Sequence, residues 1–185
     1  ITNLFAQINL EKPGADWAKT ESQKRLFVSM PLANKVALID TENFSVVANV
    51  DAGENPTRAE LQGDERYLWI GNNASDPEQS GVTVIDAVEF KTVKFIPTGK
   101  GHHEIGFSEN DRYAFVSNRD EGTVSVIDVQ SLEKITDLQA GEVPISLAFS
   151  DLGNAIYVAD GKTGEITVLD GEKQAIRSRI QAKPG

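Results

Sequence analysis

The chain has 185 residues, 39% hydrophobic and 25% charged, with no cysteine, which suits one globular domain and excludes disulfide staples, thiolate metal sites and a cysteine nucleophile. Eighteen basic against 28 acidic residues leave a net charge of -10, which argues against nucleic acid as a partner and against docking on anionic lipid. No apolar run approaches the roughly 20 residues that cross a bilayer, and the opening Ile1-Thr2-Asn3-Leu4 lacks the charged-then-apolar layout of a signal peptide. No membrane insertion is therefore expected.

Fifteen glycines and seven prolines point to a turn-rich β-protein, because so many helix breakers would be costly in a bundle. Along the chain one period dominates. Ile8, Val50, Ile96, Leu138 and Ile180 are spaced by 42, 46, 42 and 42 residues, the odd value being a single four-residue insertion. Nineteen residues after each of the first four anchors stands an aromatic, Phe27, Trp69, Phe115 and Tyr157, followed each time by a β-branched residue. Ten residues before each later anchor an Asp closes an alternating run: Asp40, Asp86, Asp128 and Asp170. Period-two alternation between turn residues predicts four strands per unit. In the third unit these run near His103 to Phe107, Tyr113 to Ser117, Thr123 to Ile127 and Lys134 to Leu138, the last being the most polar. Gly122 is placed where a hairpin needs positive φ.

Four strands with a polar outermost member fit a propeller blade, whose outer strand faces water while the inner three pack between neighbours. The fold class is therefore all-β, with repeats at about 8–49, 50–95, 96–137 and 138–179 in one segment. The stretches Phe27-Val28-Ser29-Met30, Trp69-Ile70-Gly71-Asn72, Phe115-Val116-Ser117-Asn118 and Tyr157-Val158-Ala159-Asp160 resemble the YVTN-type β-propeller repeat family. That resemblance implies four-stranded antiparallel blades, about four of them, belonging to a larger ring such as one of seven blades. An extra outer strand is expected over Asn3 to Leu10, giving seventeen strands where a closed four-bladed ring wants sixteen. Missing blades or self-association follow as expectations, since unprotected sheet edges associate.

In a propeller the loops leading into the innermost strands converge on the central channel, so a site is sought in equivalent columns of successive blades. Eight residues after each anchor stand Asp16, Arg58, Glu104 and Ser146, all polar. They are candidate ligand contacts at the channel face, or a polar ring that solvates strand ends. Arg58, flanked by Asp16 and Glu104, either orients an anionic ligand or is neutralised by those two carboxylates. The only two histidines, His102 and His103, stand beside Glu104, where the other units carry Pro13, Pro56 and Pro144 nearby. Imidazole makes both candidate metal ligands, although neighbours on an extended strand point to opposite faces and would not share one ion.

The stretch from His103 through Ser108, Arg112, Tyr113, Val116 and Arg119 to Asp120 resembles the axial-histidine segment in the d-type-haem propeller of dissimilatory nitrite reductases. It implies a d-type haem as cofactor, or else a transition metal, with His103 as proximal ligand and Arg119 beside it. There are no further histidines for a second axial role, and there is no Cys-x-x-Cys-His motif for covalent haem. The expectation is a periplasmic or cell-surface binding or scaffold protein that takes a protein or small ligand at the channel face and is not an enzyme by this chain alone. A cofactor-dependent redox protein or carrier using His103, and an adhesive or structural repeat element, are the alternatives.

Overall fold

The computed structural model describes residues 17–19 and 24–182. They form sixteen strands and two single-turn 3-10 segments, with no α-helix. The strands make four antiparallel sheets of four, each in simple sequence order. Strands β1 (Trp17–Lys19), β2 (Arg25–Met30), β3 (Lys35–Asp40) and β4 (Ser45–Asp51) make the first blade, and β5 (Pro56–Leu61), β6 (Tyr67–Asn72), β7 (Gly81–Asp86) and β8 (Lys91–Pro97) the second. The third comprises β9 (Ile105–Phe107), β10 (Tyr113–Asn118), β11 (Thr123–Asp128) and β12 (Glu133–Gln139). The fourth comprises β13 (Pro144–Ser150), β14 (Ala155–Asp160), β15 (Glu165–Asp170) and β16 (Ala175–Gln181). The outer strand expected over Asn3 to Leu10 lies outside the described residues. By contact the chain divides into two compact units, Ile1–Phe95 and Ile96–Gly185, each treated by itself below.

The middle strands are apolar on both faces: β10 is buried at every position and β11 at its four central ones. Such a sheet must be covered twice. In the first unit Phe27, Val36 and Leu38 of the first blade pack against Leu68, Ile70 and Ile85 of the second. In the second unit Phe115, Val124 and Val126 of the third pack against Ile156, Val158 and Leu169 of the fourth. Phe27 in one unit and Phe115 in the other are thus the plugs that one blade inserts into the next. Outer strands β4 and β12 alternate between exposed and half-buried residues, and β16 is exposed throughout. A bulge recurs where strands three and four pair, at Leu38/Ile39, Val126/Ile127 and Val168/Leu169, twisting the outer strand away from a flat edge.

The recurrent Asp caps the turn into the outer strand. Asp40 Oδ1 accepts the amides of Glu42 and Asn43 at 2.7 and 3.1 Å, Asp86 those of Val88 and Glu89 at 2.9 and 2.8 Å, and Asp170 those of Glu172 and Lys173 at 3.0 Å each. Asp128 takes the amide of Ser131 at 2.8 Å. The fifth residue of each turn is left-handed without being glycine: Phe44, Phe90, Leu132 and Gln174 have φ of 56, 52, 56 and 48°. Cations hold two of these carboxylates. Arg66 Nη2 lies 2.9 Å from Asp86 Oδ2 and Arg177 Nη2 lies 2.8 Å from Asp170 Oδ2.

Two measurements test this account. Phe115 is fully buried, whereas Tyr157, at the same column of the fourth blade, is 38% exposed. Phe115→Ala is expected to cost about 3–5 kcal/mol in urea unfolding and Tyr157→Ala about 1 kcal/mol. In acid, the hydrogen bond from Arg177, opposed by burial and aided by the turn amides, holds Asp170 down to about 2. The Ser131 amide lowers Asp128, and at Asp86 the turn amides outweigh burial. Lowered carboxylates stabilise above the unfolded value of about 3.9 and lose that contribution as pH falls through the folded one. Stability should therefore hold to about pH 4 and drop between there and about pH 2, with a shallower drop in Asp170→Asn, followed by circular dichroism.

Candidate functional site

The inner strands carry the columns singled out from the sequence, and β1 lies against β5 in the first unit as β9 does against β13 in the second. Strands β5 and β13 begin at Pro56 and Pro144, the column in which the third unit has His102. Strand β9 begins only at Ile105, so His102, His103 and Glu104 lie in the loop ahead of it, not on the strand expected from His103 onward. That loop contains Gly101 at φ 104°, and there His103 turns inward. Its ring is fully buried and Nδ1 lies 2.8 Å from the carbonyl oxygen of Ser117. A carbonyl cannot donate, so Nδ1 carries the proton.

Ser117 holds the whole segment. Its hydroxyl accepts the amide of Glu104 at 2.9 Å and its own amide donates to the Glu104 carbonyl at 2.9 Å. The second blade makes the equivalent contact with different chemistry: Thr57 Oγ1 donates to the Gly71 carbonyl at 3.4 Å. Thr57 and His103 share a column, as do Gly71 and Ser117, so His103 does for its blade what a threonine hydroxyl does for the one before. The fourth blade has Ile145 there, exposed and without a donor.

The neighbouring side chains face the other way. His102 Nε2 lies 3.2 Å from Glu104 Oε1, the two being 37% and 21% exposed. The adjacent histidines therefore have separate partners. Behind them the loop is tied to the β10–β11 hairpin: the Lys100 amide donates to Glu121 Oε1 at 3.1 Å, and the Asp120 amide to the Lys100 carbonyl at 3.0 Å. Arg119 stands exposed on that hairpin. Ser146 is exposed on β13. In the first unit Arg58 Nη2 donates to Glu60 Oε2 at 2.8 Å, a carboxylate on its own strand. Asp16 lies outside the described residues. Within the second unit His102, His103, Glu104 and Arg119 belong to the third blade and Ser146 to the fourth.

The resemblance implies a haem held by His103. The contact from Nδ1 to a backbone carbonyl is of the kind that fixes a ligating imidazole. A macrocycle, however, needs an open face beside that ring, and His103 has none. The residues do not fit a haem in this arrangement. For a metal ion, among the described residues no group of three or more His, Cys, Asp or Glu is disposed to hold one.

A second set of residues recurs at one position of the repeat, three residues after the aromatic. Asn72, Asn118 and Asp160 end the second strand of three successive blades and are buried. Asn72 Nδ2 donates to the carbonyls of Ala52 at 2.5 Å and Glu54 at 3.1 Å, fastening the segment that crosses into its blade. Asp160 does so by accepting, from Glu142 and Val143 at 2.5 and 2.8 Å and from Lys162 and Thr163 at 2.8 and 2.7 Å. Burial opposes its charge, but the Val143, Thr163, Lys162 and Glu142 amides win and hold it far below the usual carboxylate range. Thr83 and Thr167 brace the same crossings, each donating to an alanine carbonyl, Ala52 or Ala140, at 3.0 Å. The recurrence of Asn or Asp after the aromatic signalled this; the atoms it would meet did not show in the sequence.

The YNCE-like β-propeller family matches residues 11–183. The chain belongs to that family. Hydrazine synthase of Kuenenia stuttgartiensis is similar in structure, with a TM-score of 0.77 and 19% identity over 90% of this chain and 49% of that one. This YNCE-like propeller chain thus spans about half the length of that protein, and at such identity the likeness shows the fold alone. In all, 1054 solved chains match, so the propeller is too widely used to carry an activity by itself. No curated protein matches significantly. Among the described residues of this YNCE-like propeller no helix is long and apolar enough to cross a membrane.

Ser117→Ala tests the latch. It leaves the part-buried Glu104 amide without its acceptor and should cost about 0.5–1.5 kcal/mol in urea unfolding, with Ser117→Thr recovering part of the loss.

Proposed function

We propose that the chain is a binding or scaffold protein whose contact surface is the segment leading into β9 together with the start of β13, presenting His102, Glu104, Arg119 and Ser146. The observation that carries this reading is the division of labour at Ser117. One histidine is spent on fixing the loop, while its neighbour and a carboxylate are left half-exposed on a backbone that three hydrogen bonds hold in place. A preorganised polar surface loses little entropy on binding. The pairing of an imidazole with a carboxylate favours a ligand bearing a hydrogen-bond donor or a positive group, in keeping with the net charge of -10. Arg58, already paired with Glu60, serves this reading less than Glu104 does. A periplasmic or cell-surface location belongs to the same reading; a chain without cysteine is compatible with an oxidising compartment.

The test is a fragment screen by amide NMR on the 185-residue chain, with amine-bearing fragments as probes. Shifts are expected to gather at residues 102–105, 119 and 146, and to vanish in His102→Ala/Glu104→Gln without loss of the folded spectrum. Shifts gathering instead at the rim cleft lined by Lys24, Arg25, Asp40, Glu42 and Val47 would overturn the assignment.

A further inference from the structure

Gly106, in the middle of β9, borders open space: a Cβ built on it would meet no atom within 4 Å. It stands opposite Phe115 of β10, and directly opposed residues of an antiparallel pair share a face. The space therefore lies on the face that Phe115 turns to the fourth blade. From that blade Leu147 and Phe149 of β13 pack toward the same cluster, both half-buried, and β13 lies against β9. The result is a notch between two inner strands, with bare backbone as its floor and two apolar side chains as its wall. In the first unit the same position of the repeat is filled, by Ala18, which is buried in the core. Gly106 lies in a regular strand, outside the left-handed region, so its backbone conformation does not call for glycine. Glu104 closes one end of the notch. Ser117 holds its amide and carbonyl as a strand would, which puts Glu104 on the same face as Gly106, about 7 Å along the chain.

We infer that the ligand is a primary amine carrying a short branched apolar body, its ammonium bonded to Glu104 and its body seated over Gly106 against Leu147 and Phe149. This rests on the binding surface proposed above and names the class of molecule that surface takes. The carboxylate at the rim calls for a positive donor. It already takes His102 Nε2 at 3.2 Å, and a carboxylate accepts several donors at once. The notch beside it calls for an apolar group, because neither the floor nor the wall offers a polar side chain. A hydroxyl or a second charge placed there would lose its water without gaining a partner, which disfavours amino sugars and diamines. The net charge of -10 favours the approach of a cation.

Amide NMR titrations of the 185-residue chain with isobutylamine and with methylamine, at one ionic strength, test the notch. Isobutylamine should bind at least about tenfold more tightly, as burial of two or more methylene-sized groups would give, and should shift Gly106 and Leu147 as well as residues 102–105. Gly106→Val fills the space with a residue suited to a strand, so its Tm should not fall below that of the parent chain. It should bring isobutylamine down to the affinity of methylamine and leave methylamine unchanged, whereas Glu104→Gln should weaken both. Equal affinities in the parent chain, or a preference for isobutylamine that survives Gly106→Val, overturn the notch while the surface around Glu104 stands. Shifts absent from residues 102–105 with both amines overturn the surface itself, and the notch with it.

Discussion

A four-stranded sheet with apolar side chains on both faces cannot stay in water unless each face is covered, and this requirement organises the chain. Burying a large aromatic removes more apolar surface than any other single side chain available here, at about 25 cal/mol per Å². Phe27 and Phe115 do this for the two units. Polar features serve the same end. The segments crossing from one outer strand to the next inner strand carry backbone groups that would be orphaned between packed sheets. Asn72, Thr83, Asp160 and Thr167 satisfy them.

The polar braces are interchangeable in chemistry but not in position. Asn72 fastens its crossing by donating, Asp160 by accepting. The carbonyl at the end of the second strand is met by a threonine hydroxyl in one blade and by an imidazole in the next. Where the fourth blade has Asn154 in the place of Arg66, the cation that holds the turn carboxylate comes from Arg177 on the outer strand. Each blade solves one geometric problem with whatever donor its sequence supplies. An unusual residue in a column is therefore weak evidence of a ligand until its neighbours are known.

This is why the fold was legible in the sequence and the site only partly so. The period, the aromatic plug and the closing Asp are local patterns repeated four times, and repetition makes a local pattern read as architecture. In the third unit the strand ends were placed to within one residue, except at β9, which starts two residues later because His103 turns inward. That turn depends on Ser117, fourteen residues away, and nothing in the local spacing announces it. The histidine pair stood out by composition, yet which ring is spent on the frame and which faces outward is decided by a carbonyl on the adjacent strand. Arg58 likewise found its carboxylate two residues along its own strand, at Glu60, a pairing that column-wise reading did not weigh.

The turns into the outer strands are fixed in length, because the Asp cap, the left-handed fifth residue and the following bulge form one rigid device. The loop from Asn73 to Ser80, which holds the four extra residues of the second unit, obeys no such device. It is closed at its base by Asn55, which accepts the Asn73 amide and donates to its carbonyl, and by Ser80 bonding to Asn72, while residues 75–79 point into solvent. A foreign peptide or reporter could be grafted between those clasps without disturbing the blade, which makes this the natural place to display cargo on the scaffold.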